Sequence, residues 1–186
     1  MRRFSRMTFF AAFVLAMAFG SWGGVAGDAA EIVDDLRAAA EQGDTAAQAT
    51  LGYAYANGEG VPQDYAEAVK WFQRAAEQGN PFAQSYLGAM YYGGEGVPQD
   101  YAKAMKWSRR AAEQGNAIAQ LTLGLMYIYG QGVPQDDVRA HMWLTLAASR
   151  GILQARGLRD FMAPVMTSAQ IAEAQRLARE WKPTPE

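Results

Sequence analysis

The pentapeptide Gly60-Val61-Pro62-Gln63-Asp64 decides the fold, because it occurs three times in this chain at a constant spacing. It returns unchanged at residues 96–100 and 132–136, so the step is 36 residues both times. Other residues keep the same step, namely Leu51-Gly52, Leu87-Gly88 and Leu123-Gly124, then Tyr55, Tyr91 and Tyr127, then Trp71, Trp107 and Trp143. A repeat of this length is typical of a solenoid whose unit is a pair of helices. We therefore divide residues 44–152 into the units 45–80, 81–116 and 117–152.

Polar residues and glycines mark the helix ends within each unit. Asp44 and Asn80 are suited to cap the first helices, and Pro81 can stand at a first helical position without losing a hydrogen bond. Glycine in the loop that precedes Pro62 can adopt the left-handed backbone that ends a helix, and Asp64 then caps the second helix. The pattern predicts an all-α protein built from helix-turn-helix units.

Glycine recurs in the middle of each first helix, at Gly52, Gly88 and Gly124, although it costs about 1 kcal/mol there relative to alanine. We expect the second helix to approach closely at these points and to present alanines such as Ala68 and Ala75. The tryptophans at 71, 107 and 143 fall at a core position of the second helix. Each unit leaves an apolar face uncovered, so the units must stack.

Both ends of the array are predicted to carry caps. Residues 27–43 match the second half of a unit and form an N-terminal half-repeat. Residues 153–182 are predicted to form C-terminal capping helices, with a capping box at Thr167-Ser168-Ala169-Gln170 before an amphipathic helix over 168–181. Residues 183–186 are a tail that begins at the helix-stopping Pro183.

The N-terminal residues 1–26 have the pattern of a secretory signal peptide. Arg2, Arg3 and Arg6 precede an apolar run from Met7 to Phe19, and small residues follow. We expect cleavage after Ala26, or else after Ala29, and a location in the periplasm or outside the cell. The alternative is an uncleaved N-terminal anchor in the inner membrane. No second apolar span is present, so no stable membrane insertion is expected after removal of the signal.

The composition argues against most catalytic and nucleic-acid-binding classes. The chain has no cysteine and one histidine, which excludes cysteine-ligated zinc, iron–sulfur clusters and two-histidine metal sites. The formal charge of −2 does not favour nucleic acid as a partner. His141 is interpreted as a surface residue of a second helix. Asp64, Asp100 and Asp136 recur one unit apart, too far for a shared metal or acid–base site, and are interpreted as helix caps. We predict no cofactor, no metal and no enzymatic activity.

The unit A-Q-x-x-L-G-x-x-Y…G-x-G-V-P-Q-D-x-x-x-A-x-x-W-x-x-x-A-A-x-x-G resembles the Sel1-like repeat, a relative of the tetratricopeptide repeat. Residues 44–152 follow it throughout, but Asp137 replaces Tyr65 and Tyr101, and the pattern is lost from Ile152 onwards. The resemblance implies a right-handed α/α superhelical solenoid that serves as a protein–protein interaction scaffold in the bacterial cell envelope. It implies no catalytic residues.

If this geometry holds, the first helices line a concave face that binds a segment of an envelope protein or peptide. The residues expected to point into it are Tyr53, Phe82, Ser85, Tyr92, Ile118, Leu121, Leu125 and Ile128. This face grows more apolar towards the C-terminal end, so it should be covered or bind something. We expect helix 168–181 to fold back over the third unit and cover it, and a groove that stays open would instead favour partner binding. An alternative function is a small-ligand or glycan-binding module using Tyr53, Tyr91 and Tyr92.

Overall fold

The computed structural model describes residues 25–184, with side chains from residue 32 onwards. The predicted signal peptide therefore lies outside the described residues, except for positions 25 and 26. The described part is all-α, as predicted. Its helices are α1 Val25–Glu41, α2 Thr45–Asn57, α3 Tyr65–Glu77, α4 Pro81–Gly93, α5 Tyr101–Glu113, α6 Ala117–Tyr129, α7 Asp137–Ser149, α8 Leu153–Met162 and α9 Ser168–Glu180, with a 3₁₀ turn at Ala163–Val165.

The helix ends lie where the sequence predicts them. The side chains of Asp44 and Asn80 accept hydrogen bonds from the backbone three residues on, at 2.9 Å each, and Asp64 caps α3 in the same way. Gly58 ends α2 with φ +73°, a left-handed backbone that disfavours any residue with a Cβ. The carboxylates at 100 and 136 are likewise helix caps. The repeated aspartates are thus occupied by backbone N–H groups.

Helices α2, α4 and α6 are the first helices of the three units, and α3, α5 and α7 are the second helices. Each first helix packs against the second helix of its own unit and against the second helix of the preceding unit. Adjacent first helices also contact each other more extensively than adjacent second helices do. The first helices therefore lie on the inner side of the array, which we call the inner face, and the second helices lie on the outer side.

The mid-helix glycines allow close helix packing, but their facing residues differ from the prediction. A Cβ on Gly52 would lie 2.8 Å from the Phe72 ring, and one on Gly124 would lie 2.7 Å from Leu144. On Gly88 it would overlap the Ser108 hydroxyl and lie 3.0 Å from the Ser108 backbone nitrogen. Large or medium side chains, and not the predicted alanines, therefore face Gly52 and Gly124, because each glycine lies opposite the residue that follows the core tryptophan. The second unit has only a serine there, and its two helices approach so closely that a Cβ on Gly88 would also contact the Ser108 backbone.

A buried glutamine in each first helix joins consecutive units. The Gln48 amide donates to the Ala40 carbonyl at 3.0 Å and its oxygen accepts from Gln78 at 2.7 Å. The same arrangement recurs in the next units, with Gln84 beside Ala76 and Gln114, and Gln120 beside Ala112 and Arg150. A buried amide is stable only with such partners, so this network specifies the register in which one unit follows another.

The C-terminal helix α9 covers the last unit, but on its outer side. It packs against α7, where Trp181 meets the Trp143 ring at 6.2 Å and 69°. In the first two units the corresponding tryptophans are covered by an arginine three residues later, as with Arg74 over Trp71 at 4.6 Å. Leu146 stands at the position of that arginine in α7, so α7 has an apolar outer surface that α9 can bury. The expectation that this helix covers the inner face was wrong.

His141 is a second correction, because its side chain is only 4% exposed. It occupies the position that Val69 and Met105 occupy in the preceding units, and both of those are buried. Its Nδ1 lies 3.4 Å from the Thr145 hydroxyl. Burial lowers the pKa of His141, and the positive charge of Arg159 lowers it further. The informative signal in the sequence was that His141 stands in register with Val69 and Met105, two apolar residues.

Candidate functional site

The inner face is formed by helices without a single charged residue. None of α2, α4 and α6 contains Asp, Glu, Lys or Arg. The charges of the repeats lie instead on the second helices and the loops, and α3 alone carries Glu67, Lys70, Arg74 and Glu77. This separation is too complete for the ordinary exterior of a protein, where charged residues are common on every solvated face.

The predicted residues Tyr53 and Phe82 meet on this face, within a cluster of four aromatic rings. Their centroids are 5.9 Å apart, and Tyr86 lies 4.6 Å from Phe82. Tyr86 in turn stacks on the fully buried Phe72 at 5.1 Å. Phe82 is 37% exposed above this support. The cluster therefore holds one exposed ring in a rigid position between the first and second units.

Tyr86 is a member of the site that the sequence analysis missed. It is half-buried, and burial raises the pKa of its phenol. The informative signal was its spacing, because it follows Phe82 by one helical turn and so shares its side of α4. Ser85, by contrast, is fully buried and donates its hydroxyl to the Phe82 carbonyl at 2.7 Å. It does not reach the surface on which we expected it.

Tyr92 lies apart from the cluster, at the other end of α4. Tyr92 follows Phe82 by ten residues, which corresponds to about 15 Å along the helix. Its ring packs on Tyr101 at 5.6 Å, and burial is the main cause that raises the pKa of its phenol. Of the predicted aromatic residues, Tyr53 and Phe82 therefore form a pair, and Tyr92 lies separately.

The third unit contributes aliphatic side chains in place of aromatic ones. Ile118 is 38% exposed and follows Phe82 by one repeat. Leu121, Leu125 and Ile128 are half-buried, and Leu121 and Ile128 pack against the core of this unit. Because α9 lies on α7, it leaves these residues accessible from the inner side. The inner face therefore presents aromatic side chains in its first two units and aliphatic ones in the third.

The aromatic pairs of the inner face are not arranged as a flat platform. The rings of Tyr53 and Phe82 are inclined by 51°, those of Phe82 and Tyr86 by 42°, and those of Tyr92 and Tyr101 by 59°. The nearly parallel pair is Phe72 with Tyr86, and Phe72 is inaccessible. A sugar ring stacks on an exposed coplanar surface, which these pairs do not offer.

Two clefts lie elsewhere, on either side of α7. One of about 330 Å³ separates α7 from α8, and one of about 390 Å³ separates α7 from α9. Thr145 and Ser149 line both clefts, and the charged residues that complete them are arginines. Among residues 32–184, no three His, Asp or Glu side chains are grouped as metal ligands would be. These clefts therefore lack the paired acid and base that hydrolytic catalysis requires.

Comparison with known proteins follows the repeat pattern. The family model described as Sel1 repeat matches residues 45–80, 81–116 and 117–152. No curated protein matches the chain. Within the described residues, no helix has both the length and the apolar character that crossing a bilayer demands.

The solved structures that are similar to this chain include the following two. One is the Escherichia coli protein c5321, a protective antigen of uropathogenic strains with an SLR fold, at 42% identity and a TM-score of 0.71. The similarity covers 81% of this chain and 33% of that one. The other is a Sel1 repeat protein from Oxalobacter formigenes, at 32% identity and a TM-score of 0.66, covering 81% and 64% of the two chains. This chain therefore spans about a third of the first relative and less than two thirds of the second.

Sel1 repeats generally act as non-catalytic protein-interaction modules. The chain has three consecutive Sel1 repeats and the solenoid fold of these relatives, and it belongs to the Sel1 repeat family.

Proposed function

We propose that this protein is a non-enzymatic scaffold that binds an apolar segment of a partner protein on its inner face. The observation that carries this proposal is the absence of charge from α2, α4 and α6, combined with half-exposed apolar side chains along them. A charged segment would lose hydration on this surface without gaining an ion pair. An apolar segment gains about 25 cal/mol for each Å² of apolar surface that it buries.

The binding mechanism is docking onto a preformed surface. Phe82 and Ile118 are the exposed anchors, and the aromatic cluster beneath Phe82 keeps it from collapsing into the core. Tyr86 and Tyr92 are uncharged hydrogen-bond donors at neutral pH, as phenols ordinarily are, and burial raises the pKa of both further. They can satisfy polar groups of the partner backbone at the edges of the apolar contact. A helix or an extended segment with apolar residues on one side fits this arrangement.

We further propose that the protein acts in the cell envelope after export, where its partner is an envelope protein or peptide. The basic and apolar residues of the first 26 positions support this location. The similarity to a protective antigen also supports it. The intact mass of the protein from a periplasmic fraction tests the location, with loss of residues 1–26 expected. A mass that retains Met1 would instead favour the N-terminal anchor.

A site-specific photo-crosslinker tests the binding face. We would incorporate it at position 118 on the inner face and at position 106, occupied by the exposed Lys106, on the outer face. Crosslinks to an apolar peptide are expected at position 118 and not at 106. Phe82→Asp should weaken them at least 10-fold, because it places an unpaired charge in the contact. Tyr65→Asp is the matched control, since Asp137 already occupies the corresponding position of the third unit.

Equal crosslinking from the two faces, or capture of a highly charged peptide at position 118, would contradict the proposal.

A further inference from the structure

The most exposed large apolar side chains of the described residues lie on α8 and on the 3₁₀ turn that follows it. Leu153, Phe161 and Val165 are 78%, 84% and 82% exposed. Leu153 is the first residue of α8 and Phe161 is the last but one, and each lies four residues from Gly157, so Leu153, Gly157 and Phe161 share one side of the helix. We call this side the α8 face. An exposed apolar cluster of this kind marks an interaction surface.

In the preceding units the same side of the first helix is covered by the next unit. Phe161 occupies the position of Tyr53, which packs on Phe82 and Tyr86 of the following first helix. Gly157 occupies the position of Ser85, which is fully buried. The helix α9 follows α8 along the chain but packs on α7. The α8 face is therefore a stacking surface that no described residue covers.

Gly157, midway between Leu153 and Phe161, faces open space. A Cβ added to it would meet nothing within 4 Å, whereas Gly52, Gly88 and Gly124 each face a side chain of the paired helix. Glycine inside an exposed helix costs about 1 kcal/mol relative to alanine, and no contact within the described chain offsets that cost. A small residue between two large apolar ones is what close approach of a second helix requires.

We propose that the α8 face is a homodimer interface, in which α8 of one copy crosses α8 of a second copy at Gly157. The arrangement is self-complementary, as a two-fold interface must be. Leu153 and Phe161 lie at equal distances on opposite sides of Gly157, so Leu153 of one copy meets Phe161 of the other on both sides of the axis. The two glycines face each other at the crossing point.

Charged residues along one edge of the α8 face also favour a second copy of this chain as its partner. Arg156 makes no ion pair with any described residue, and Asp160, one turn later, lies on the same edge. Asp160 accepts from Arg159 through Oδ1 at 2.7 Å, and Oδ2 remains available. A two-fold axis through Gly157 places Arg156 of each copy about two residues, or roughly 3 Å along the helix, from Asp160 of the other, which an arginine side chain can reach. The surface thus carries both partners of an ion pair, which a second copy would use twice.

The mass of the full chain in solution tests the proposal, measured by light scattering coupled to size-exclusion chromatography over a range of concentrations. We expect a dimer for the unaltered chain. Phe161→Asp and Leu153→Asp should each raise the dissociation constant at least 10-fold, because each places two charges in an apolar contact. Tyr65→Asp, at the far end of the array, should leave it unchanged. Circular dichroism should show the same fold in every variant, since Leu153 and Phe161 support no core in the monomer.

The ion pairs are tested separately by charge exchange. Arg156→Glu should weaken the dimer, and the double variant Arg156→Glu, Asp160→Arg should restore it, because the two charges then exchange roles across the interface. A chain that is monomeric at every concentration would overturn the proposal. So would a dimer that survives Phe161→Asp and Leu153→Asp, or one that the charge exchange fails to restore. These outcomes are independent of partner binding on the inner face.

Discussion

Gly88→Ala tests the packing of the second unit most directly. The added methyl group would overlap the Ser108 hydroxyl, lie 3.0 Å from its backbone nitrogen and lie 3.3 Å from its Cα. The hydroxyl can rotate away, but the backbone cannot, so we take overpacking near the upper part of its usual range, about 2–3 kcal/mol. Alanine regains about 1 kcal/mol of helix propensity. The net loss of unfolding free energy is therefore about 1–2 kcal/mol.

Thermal unfolding followed by circular dichroism is the assay. For a chain of this size, 1 kcal/mol corresponds to about 2–4 °C, so Tm should fall by roughly 2–8 °C. The matched control is Gly93→Ala in the same helix, where the new Cβ would make an ordinary contact of 3.6 Å with Glu95. Its Tm should equal or exceed that of the unaltered protein.

Ser108→Ala identifies the cause of the loss. The Ser108 hydroxyl is buried without a hydrogen-bond partner, so its removal alone should be neutral or stabilising. In the double variant it should recover part of the loss caused by Gly88→Ala, since one of the overlaps disappears, with a coupling energy of at least about 0.5 kcal/mol. A Tm for Gly88→Ala no lower than that for Gly93→Ala would refute the packing argument. Additivity of the two substitutions would show that the hydroxyl is not the obstacle.

Three further perturbations test other parts of the array. Gln84→Leu should lower the unfolding free energy by about 1–3 kcal/mol, because it removes the hydrogen bonds that Gln84 makes with the Ala76 carbonyl and with Gln114, and urea unfolding measures this. Trp181→Ala should release α9 from Trp143, so amide hydrogen exchange should become faster in α9 but not in α2 and α3. An equal increase in all three helices would argue against α9 as a separate cap on α7. His141→Met should reduce the loss of stability on acidification. Burial lowers the pKa of His141 in the folded state below its value in the unfolded state, so the unaltered protein loses stability as the pH drops below about 6.5. An unchanged pH profile of Tm in the variant would contradict this.

Much of the fold is readable from local sequence, because its determinants are local. A capping carboxylate such as Asp64 acts on N–H groups two and three residues away, and a left-handed glycine such as Gly58 ends its own helix. Because these residues recur in every unit, the same inference applies to all three units. The face-to-face partners of Gly52, Gly88 and Gly124 were not readable in this way, since they depend on how two helices are rotated about their axes. The burial of His141 could have been predicted from its register with Val69 and Met105.

For the candidate site, the sequence predicts which positions line the inner face but not how deeply each side chain is buried. The positions that line the inner face follow from helical periodicity, and Tyr53, Phe82 and Ile118 lie there. The depth of each side chain does not follow from periodicity, because it depends on the neighbouring unit. Ser85 is buried under its neighbours, and Tyr92 packs against Tyr101 of the following helix.

The helical units, their length and their ends follow from hydrogen bonds and periodicity within a few residues, and the absence of charge from the first helices can be read directly from the amino acids. The place where α9 packs and the surface that stays uncovered depend instead on contacts between distant parts of the chain. Leu146 makes α7 apolar where its counterparts are charged, and Trp181 is long enough to reach Trp143, so α9 is more stable against α7 than against α8. That choice leaves Phe161 in contact with solvent.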